Sequence, residues 1–175
     1  GVNFFIDDYQ FERVWRDPES YGRMMADYEC VCTPDFSLYT DMPLPMQRWN
    51  CYRSRFVGAI WQRMGLDVIP TLQWADEESY TFAFDGLPEH STVAVSTVGT
   101  NAHPYSRLLW SMGMHEAISR LGPETVLVYG TEPKDFDWGE TQHITYTNRT
   151  LRRMKWADAD HQAAEADQEQ AAEAS

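Results

Sequence analysis

The sequence has no apolar run long enough to cross a membrane and no recognisable signal peptide. It contains only three cysteines, Cys30, Cys32 and Cys51, and this small, odd number does not suit a disulfide scaffold. The cysteines and the scattered histidines also lack the spacing of a zinc site, so we expect buried structural cysteines. These absences predict a protein of the reducing cytoplasm that is not bound to a membrane.

Positive charge is scarce, because 14 Lys and Arg residues stand against 27 Asp and Glu residues and give a formal net charge of −13 at pH 7. An acidic protein is poorly suited to binding a nucleic-acid backbone, whereas a small-molecule ligand or a host protein stays open as a partner. Six of the acids lie in residues 157–175, which contain no Lys or Arg. That segment has no apolar face, so we predict a single α/β domain over residues 1–156 and a disordered acidic tail over residues 157–175.

Several common catalytic and nucleotide-binding motifs are also missing. Neither GxxxxGK[ST] nor GxGxxG nor GxSxG occurs in the sequence. The loop Val98-Gly99-Thr100-Asn101 can present backbone N–H groups to an anion, but an ordinary turn is the favoured interpretation. No motif therefore identifies a cofactor or a metal, and both stay unknown from the sequence.

Apolar segments alternate with helical patterns along the first 130 residues. Five predicted strands begin near Val2, Cys30, Val68, Val93 and Val126, and residues 143–147 are a candidate sixth strand at the edge. Strands separated by helices imply right-handed crossovers and parallel pairing. We therefore predict an α/β fold with a parallel sheet of about five strands and crossover helices. Since five strands are few for a closed barrel, the sheet should be open or a partial barrel.

The longest predicted helix starts after two prolines and ends near Gly65. Its apolar residues recur at helical spacing and predict a core-facing stripe of Met46, Trp49, Phe56, Val57, Ile60 and Met64. Arg53 falls near the centre of this stripe, where a buried guanidinium needs a carboxylate or several carbonyls. Three interpretations stay open: Arg53 extends past the stripe to solvent, forms a structural ion pair, or anchors a substrate. For an ion pair, we expect Asp35, Asp41 or another acid at a strand end.

Six strings in the sequence are long and unusual: VNFFIDDYQFERVW, CTPDFSLYTDMP, NCYRSRFVGAIWQ, DVIPTLQWADEESY, FDGLP and VAVSTVGT. Together they resemble the DUF4417 proteins, a family of unknown function common in phages and mobile elements. The resemblance spans Val2 to Gly130 and does not include the acidic tail. It implies a phage or mobile-element type of protein with further residues before Gly1 in nature, and it implies no particular activity.

Polar residues follow each predicted strand, and the carboxyl ends of parallel strands are where sites form in such folds. The predicted catalytic residues are acids at these ends: Asp35, Asp41, Asp76 and Glu77. The predicted ligand-binding residues add aromatic, hydroxyl, amide and guanidinium groups: Tyr39, Arg53, Trp74, Ser96, Thr100 and Asn101. For Asp8, Asp76 and Glu77, capping of the next helix is the structural alternative to a functional role.

Several carboxylates at one rim suit two kinds of chemistry. They can act as general acid and base, as in sugar-cleaving sites, or bind Mg²⁺ or Mn²⁺ for phosphoester chemistry. The first hypothesis is therefore an enzyme acting on a sugar- or nucleotide-like ligand. The alternative is a non-catalytic binding module or an acidic inhibitor of a host protein. Acids gathered in one concave pocket favour the enzyme, whereas acids spread over a convex face favour the inhibitor.

Overall fold

The structure is a computed structural model that describes residues 1–100, 103–133 and 135–146. Its helices are α1 (Asp8–Arg16), α2 (Pro18–Met25), α3 (Leu44–Arg63), α4 (Tyr80–Ala83) and α5 (Pro104–Leu121). Its strands are β1 (Val31–Cys32), β2 (Val68–Ile69), β3 (Thr92–Ser96), β4 (Thr125–Tyr129) and β5 (Gln142–Tyr146). The predicted tail and the predicted ligand residue Asn101 lie outside these ranges. No helix within them combines the length and the apolar character needed to span a bilayer.

Every strand pairing within the described ranges is parallel, which confirms the predicted α/β class. β1 pairs with β2 in one sheet, and β3, β4 and β5 form a second sheet in that order. Two isolated bridges extend the series, one from Val2 to Val31 and one from Thr71 to Ala94. The extended residues 2–6 that contain the first bridge are called the first strand segment below. Strands therefore pair in chain order, and the described strands form an open arrangement without a closed barrel.

The expected single sheet is divided into two at Pro70 and Thr71. Pro70 has no N–H to donate, although its carbonyl accepts a hydrogen bond from the Ala94 N–H. The Thr71 N–H donates to the side-chain hydroxyl of Thr33, 2.9 Å away, and not to a backbone carbonyl of a neighbouring strand. Regular backbone pairing stops here because Pro70 has no N–H and the N–H of Thr71 is bound by a side chain.

One face of the second sheet is buried against α5. Successive side chains of a strand point to opposite faces, so the valines of β3 and β4 all lie on this buried face. Val93, Val95, Val126 and Val128 are at most 2% exposed and pack with Trp110 and Met114 of α5. On the opposite face, Phe5 stacks on Tyr129 with ring centroids 5.1 Å apart. This contact joins the first strand segment to β4, so the parallel array curves around a small inner core.

The predicted apolar stripe of α3 is wrong for most of its residues. Met46, Trp49, Phe56 and Met64 are each at least 36% exposed, and among the six predicted residues only Val57 is fully buried. The buried face is largely polar or small and consists of Gln47, Asn50, Cys51, Arg53, Ser54, Val57, Gly58 and Trp61.

The polar face of α3 lies inward because the chain before the helix offers backbone carbonyls that need donors. The Gln47 side-chain amide donates to the carbonyls of Tyr39 and Met42 at 3.1 and 2.9 Å. The Asn50 amide donates to the Ser37 carbonyl at 2.7 Å. On the outer face the aromatic rings cover one another, since Tyr52 stacks on both Trp49 and Phe56 with centroids 5.6 Å apart. The helix therefore buries polar side chains in hydrogen bonds and exposes the rings of Trp49, Tyr52 and Phe56, while Trp61 stays buried.

Arg53 forms an ion pair, but the expected partner was wrong. Its guanidinium lies 2.8 Å from the carboxylate of Glu12 on α1, and the other terminal nitrogen donates to Asn50. It also lies 3.8 Å from the centroid of the Phe36 ring. Asp35 and Asp41 are not its partners, because packing of α1 across α3 brings a helical acid nearer than the strand ends.

Candidate functional site

A cavity of about 1150 Å³ lies at the carboxyl ends of the strands. Its wall is built from residues that follow the first strand segment, β1, β2 and β3, and from the first two turns of α5. Parallel strands in neighbouring positions end at one edge, so their following loops converge there. Pockets of about 300–1,000 Å³ hold drug-sized molecules, so this cavity has room for a saccharide or a nucleoside.

The cavity wall brings together six of the ten residues predicted from the sequence: Asp35, Tyr39, Asp41, Trp74, Ser96 and Thr100. Asp76 and Glu77 are absent from this wall. Asp76 instead accepts a hydrogen bond from the Glu78 N–H at 3.2 Å, and Glu77 is exposed. Both acids stand in the turn before α4, but the N-cap position of α4 is Ser79 and no side chain caps this helix, so the predicted capping role is wrong as well.

Arg53 is also absent from the wall, but it stands directly behind it. Its hydrogen bond to Asn50 places the Asn50 amide against the Ser37 carbonyl, and Ser37 lines the cavity. A continuous chain of polar contacts thus runs from Glu12 through Arg53 and Asn50 to Ser37. Arg53 is connected to the cavity through this chain and has no direct place in its lining.

Asp8 is a cavity residue that was expected to cap a helix. It begins α1 and makes no capping hydrogen bond; Asp7 occupies the N-cap position. The Asp8 carboxylate instead accepts hydrogen bonds from the Ser37 N–H at 3.0 Å and from the Ser37 hydroxyl at 2.8 Å. The position of Asp8 directly after a predicted strand indicated a place at the carboxyl ends of the strands. Because the same position also suits a helix cap, Asp8 was not included in the predicted site.

Asp35 has the most altered acidity in the cavity. Burial and, to a smaller extent, the negative charge of Asp8 raise the pKa of the Asp35 carboxyl, and contact with the Gln73 side chain opposes them; the net result is a pKa of about 7. The two aspartates thus lie in different surroundings, one held by the donors of Ser37 and the other desolvated. A carboxyl with a pKa near neutrality can both donate and accept a proton at physiological pH.

Gln73 lies in the cavity wall and is only 5% exposed. Its amide N–H donates to the Phe36 carbonyl at 2.7 Å, which fixes the orientation of the amide. Its carbonyl oxygen is buried and finds no donor among the described residues. A buried acceptor without a donor costs free energy, so this atom is a natural partner for a ligand hydroxyl.

Aromatic side chains form much of the remaining wall and are held firmly. The indole N–H of Trp74 donates to the Leu109 carbonyl at 3.1 Å, and that of Trp110 donates to the Ser96 carbonyl at 2.9 Å. Gly113 of α5 leaves space for the Trp74 ring, since a methyl group there would overlap it. At the mouth, Tyr9, Tyr39 and Tyr105 are more than half exposed and offer flat faces to a ligand.

The hydroxyl residues after β3 stabilise the loop that closes one side of the cavity. The Ser96 hydroxyl accepts a hydrogen bond from the Val98 N–H at 3.1 Å. The Thr100 hydroxyl donates to the Thr97 carbonyl at 2.8 Å. Gly99 has a positive φ of 81°, which lets the chain turn between them.

Metal ligation and thiol chemistry have little geometric support in the described part of the chain. No three Asp, Glu, His or Cys side chains converge there in a way that would hold a metal ion. The three cysteines are free, and Cys32 and Cys51 are buried, as expected for structural residues. Burial raises the pKa of the Cys32 and Cys51 thiols to about 12 and about 11, which keeps both in the unreactive thiol form at neutral pH.

Comparisons with known proteins place the chain in a phage-related family. The chain is 42% identical over 163 residues to the Gene 1 protein of Mycobacterium phage L5, covering 91% of this chain and 70% of that protein. It is 38% identical over 165 residues to the Gene 1 protein of Mycobacterium phage D29, covering 91% of this chain and 61% of that relative. No solved structure matches the chain. The model of DUF4417, a domain of unknown function, matches residues 1–147, and the chain therefore belongs to the DUF4417 family.

Proposed function

We propose that this protein is an enzyme that binds a sugar- or nucleotide-like ligand in the cavity and uses Asp35 as a general acid–base group. The observation that carries the proposal is the pairing of Asp35, whose pKa is raised to about 7, with the charged carboxylate of Asp8. Neighbouring carboxyl groups with different environments are typical of acid–base sites. Flat aromatic faces at the mouth suit the rings of sugars and bases.

The reaction class that fits these residues is acid-assisted cleavage of a glycosidic bond. Asp35 in its protonated form donates its proton to the departing oxygen or nitrogen as the bond to the sugar carbon breaks. Water adds to that carbon and releases a proton to Asp8 or Asp41. Proton exchange with solvent then restores both carboxyl groups, so that one water is consumed for each bond cleaved.

The placement of the acids supports the enzyme over the inhibitor. Asp7, Asp8, Asp35 and Asp41 all line the same cavity. An acidic inhibitor that imitates a nucleic acid needs its charges on an outward surface, where a partner can reach them. We place the proposed activity in the cytoplasm, the compartment predicted from the cysteine content.

The first experiment identifies the ligand. Metabolites retained by the purified protein are released by denaturation and identified by mass spectrometry. The protein is then assayed with nucleosides and with a panel of 4-nitrophenyl glycosides, whose cleavage is followed by absorbance.

The second experiment tests the role of Asp35. Since general acid–base groups contribute roughly 10²–10⁴-fold to rates, Asp35→Asn should lower turnover by about a hundredfold or more. Asp27→Asn, a change at an exposed acid outside the cavity, should leave turnover unchanged. An Asp35→Asn protein as active as the wild type, or no turnover by the wild type with any compound, would contradict the proposal.

A further inference from the structure

The charges lining the cavity are of one sign. The lining contains four aspartates and, among the described residues, no Lys, Arg or His. Asp7 and Asp41 are exposed at the mouth, and neither forms an ion pair within the described ranges. A phosphate group approaching this mouth therefore meets negative charge with no basic side chain to offset it.

Two helix N-termini oppose this charge. The N-terminal turn of α1 contributes Asp8 and Tyr9 to the wall, and that of α5 contributes Tyr105 and Ser106. A helix N-terminus acts as roughly half a positive charge. Even with Asp35 protonated, three aspartates remain to set against these two half charges. The balance disfavours an anionic ligand.

The deeper part of the cavity wall is polar, but its polar groups do not need a cation as a ligand. The Asp8 carboxylate is already satisfied by the N–H and hydroxyl donors of Ser37. The Gln73 carbonyl oxygen is buried and finds no donor among the described residues when Asp35 is ionised, so it is open to a donor from a ligand. A hydroxyl group can supply that donor without bringing a charge into the wall.

We infer that the cavity selects an uncharged sugar ring, from a saccharide or a nucleoside without phosphate, and that Gln73 accepts a hydrogen bond from one of its hydroxyls. This inference rests on the proposed function and narrows its ligand class. Phosphorylated sugars and nucleotides are excluded by Asp7 and Asp41 at the mouth. The aromatic faces of the tyrosines and Trp74 pack against the ring itself.

The test compares pairs of compounds that differ by one phosphate. Binding of glucose and glucose 6-phosphate, and of adenosine and adenosine 5′-monophosphate, is measured by saturation-transfer NMR and calorimetry on the full chain. We expect the uncharged member of at least one pair to bind at least tenfold more tightly, and the sugar and nucleoside pairs distinguish the two sources. Raising the salt concentration should narrow the difference, because screening weakens repulsion between exposed charges.

Two double variants, each of which removes two negative charges, test the effect of the charge at the cavity mouth on binding. Asp7→Asn with Asp41→Asn should strengthen binding of the phosphorylated member severalfold relative to binding of the uncharged member. Glu29→Gln with Glu89→Gln removes two exposed charges away from the cavity and should change neither affinity. Gln73→Met, checked for an unchanged fold by circular dichroism, should weaken the uncharged member by tenfold or more.

Several results would overturn the inference. They are a phosphorylated compound that binds as tightly as its uncharged partner, the absence of binding by all four compounds, and glucosamine binding more tightly than its uncharged N-acetyl form. The two proposals fail separately. If phosphorylated compounds bind well and Asp35→Asn still abolishes turnover, the ligand class is wrong and the catalytic role of Asp35 stands.

Discussion

Asp8 lies beside Asp35 in the cavity wall, close enough for its negative charge to raise the pKa of Asp35. The two residues are 27 positions apart in the chain and meet because the first strand segment and β1 are neighbours. Burial of Asp35, together with the neighbouring charge of Asp8, raises the pKa of this carboxyl to about 7, which leads to the first prediction.

The contribution of Asp35 to the stability of the protein should fall as pH rises from about 4 to about 7. The pKa of Asp35 is raised from 3.8 to about 7 on folding, so in this window the folded protein keeps a proton that the unfolded chain has lost. The stabilising contribution is fully present below the unfolded pKa and is lost as pH passes the folded pKa. Asp35→Asn should therefore be more stable than the wild type at pH 8, by on the order of 1–3 kcal/mol.

Urea unfolding at pH 4.5 and pH 8 measures this effect. The variant should gain stability over the wild type at pH 8 only, and Asp27→Asn, at an exposed site, serves as the control. Equal pH profiles for Asp35→Asn and wild type would show that Asp35 has ordinary acidity.

Arg53→Met should destabilise the protein moderately, by about 2–3 kcal/mol. The change removes the ion pair to Glu12 and the donor to Asn50, but Glu12 is partly exposed and can be hydrated once unpaired. A double-mutant cycle with Glu12→Gln should give a coupling free energy of about 1 kcal/mol. A cycle with Asp35→Asn should give none, and a strong coupling there would contradict the observed pairing.

Gly113→Ala should destabilise the protein although alanine is the better helix former. Propensity alone predicts a gain of about 1 kcal/mol, but the added methyl group would overlap the Trp74 ring. We expect a net loss of about 1–3 kcal/mol and weaker ligand binding as Trp74 is displaced into the cavity. Thermal unfolding measures the loss, and Ser119→Ala, at an exposed position of the same helix, provides the control for propensity. A rise in melting temperature for Gly113→Ala would refute the contact.

Substitution on the polar, inward face of α3 should cost more stability than substitution on its aromatic, outward face. Ser54 is fully buried and donates to the Thr33 hydroxyl at 3.2 Å, so Ser54→Leu should cost about 2 kcal/mol or more. Phe56 is 41% exposed, so Phe56→Gln should cost about 1 kcal/mol or less through lost ring contacts. Chemical denaturation of the two variants compares the faces, and a larger loss for Phe56→Gln would mean that the aromatic face is the buried one.

Deletion of residues 158–175 should leave the melting temperature unchanged. The composition of this segment offers no apolar face that could pack on the domain. Differential scanning calorimetry of the full and shortened chains tests the division into a domain over residues 1–156 and a tail. A clear drop in melting temperature would show that the tail contributes to folding.

The strands were predictable because β-branched runs such as Thr92–Ser96 and Thr125–Tyr129 are fully buried on one face and at least half-buried on the other. The cavity edge was predictable for the same reason, since parallel strands bring Asp35, Trp74 and Ser96 to one side. These features depend on local pattern and on a general rule of parallel sheets, and both can be read without coordinates.

The inward face of α3 could not be predicted from hydrophobicity. The helix meets a loop with unpaired carbonyls, and the resulting demand for donors outweighs the preference of its aromatic rings for burial. The partner of Arg53 and the acidity of Asp35 also depend on residues far away in the chain, Glu12 and Asp8. Only the packed fold places these groups together.

Pairing of the strands in chain order also has a consequence for synthesis on the ribosome. Each strand from β1 to β5 pairs with a segment that has already been translated. Each strand from β1 to β4 is followed, after one connection, by its next partner. The sheet can therefore grow from its N-terminal edge while the chain emerges, with each new strand added to an existing template. The loops that line the cavity are completed in the same order. Asp8 and Asp35 can therefore come together before α5 is made and forms the opposite wall of the cavity.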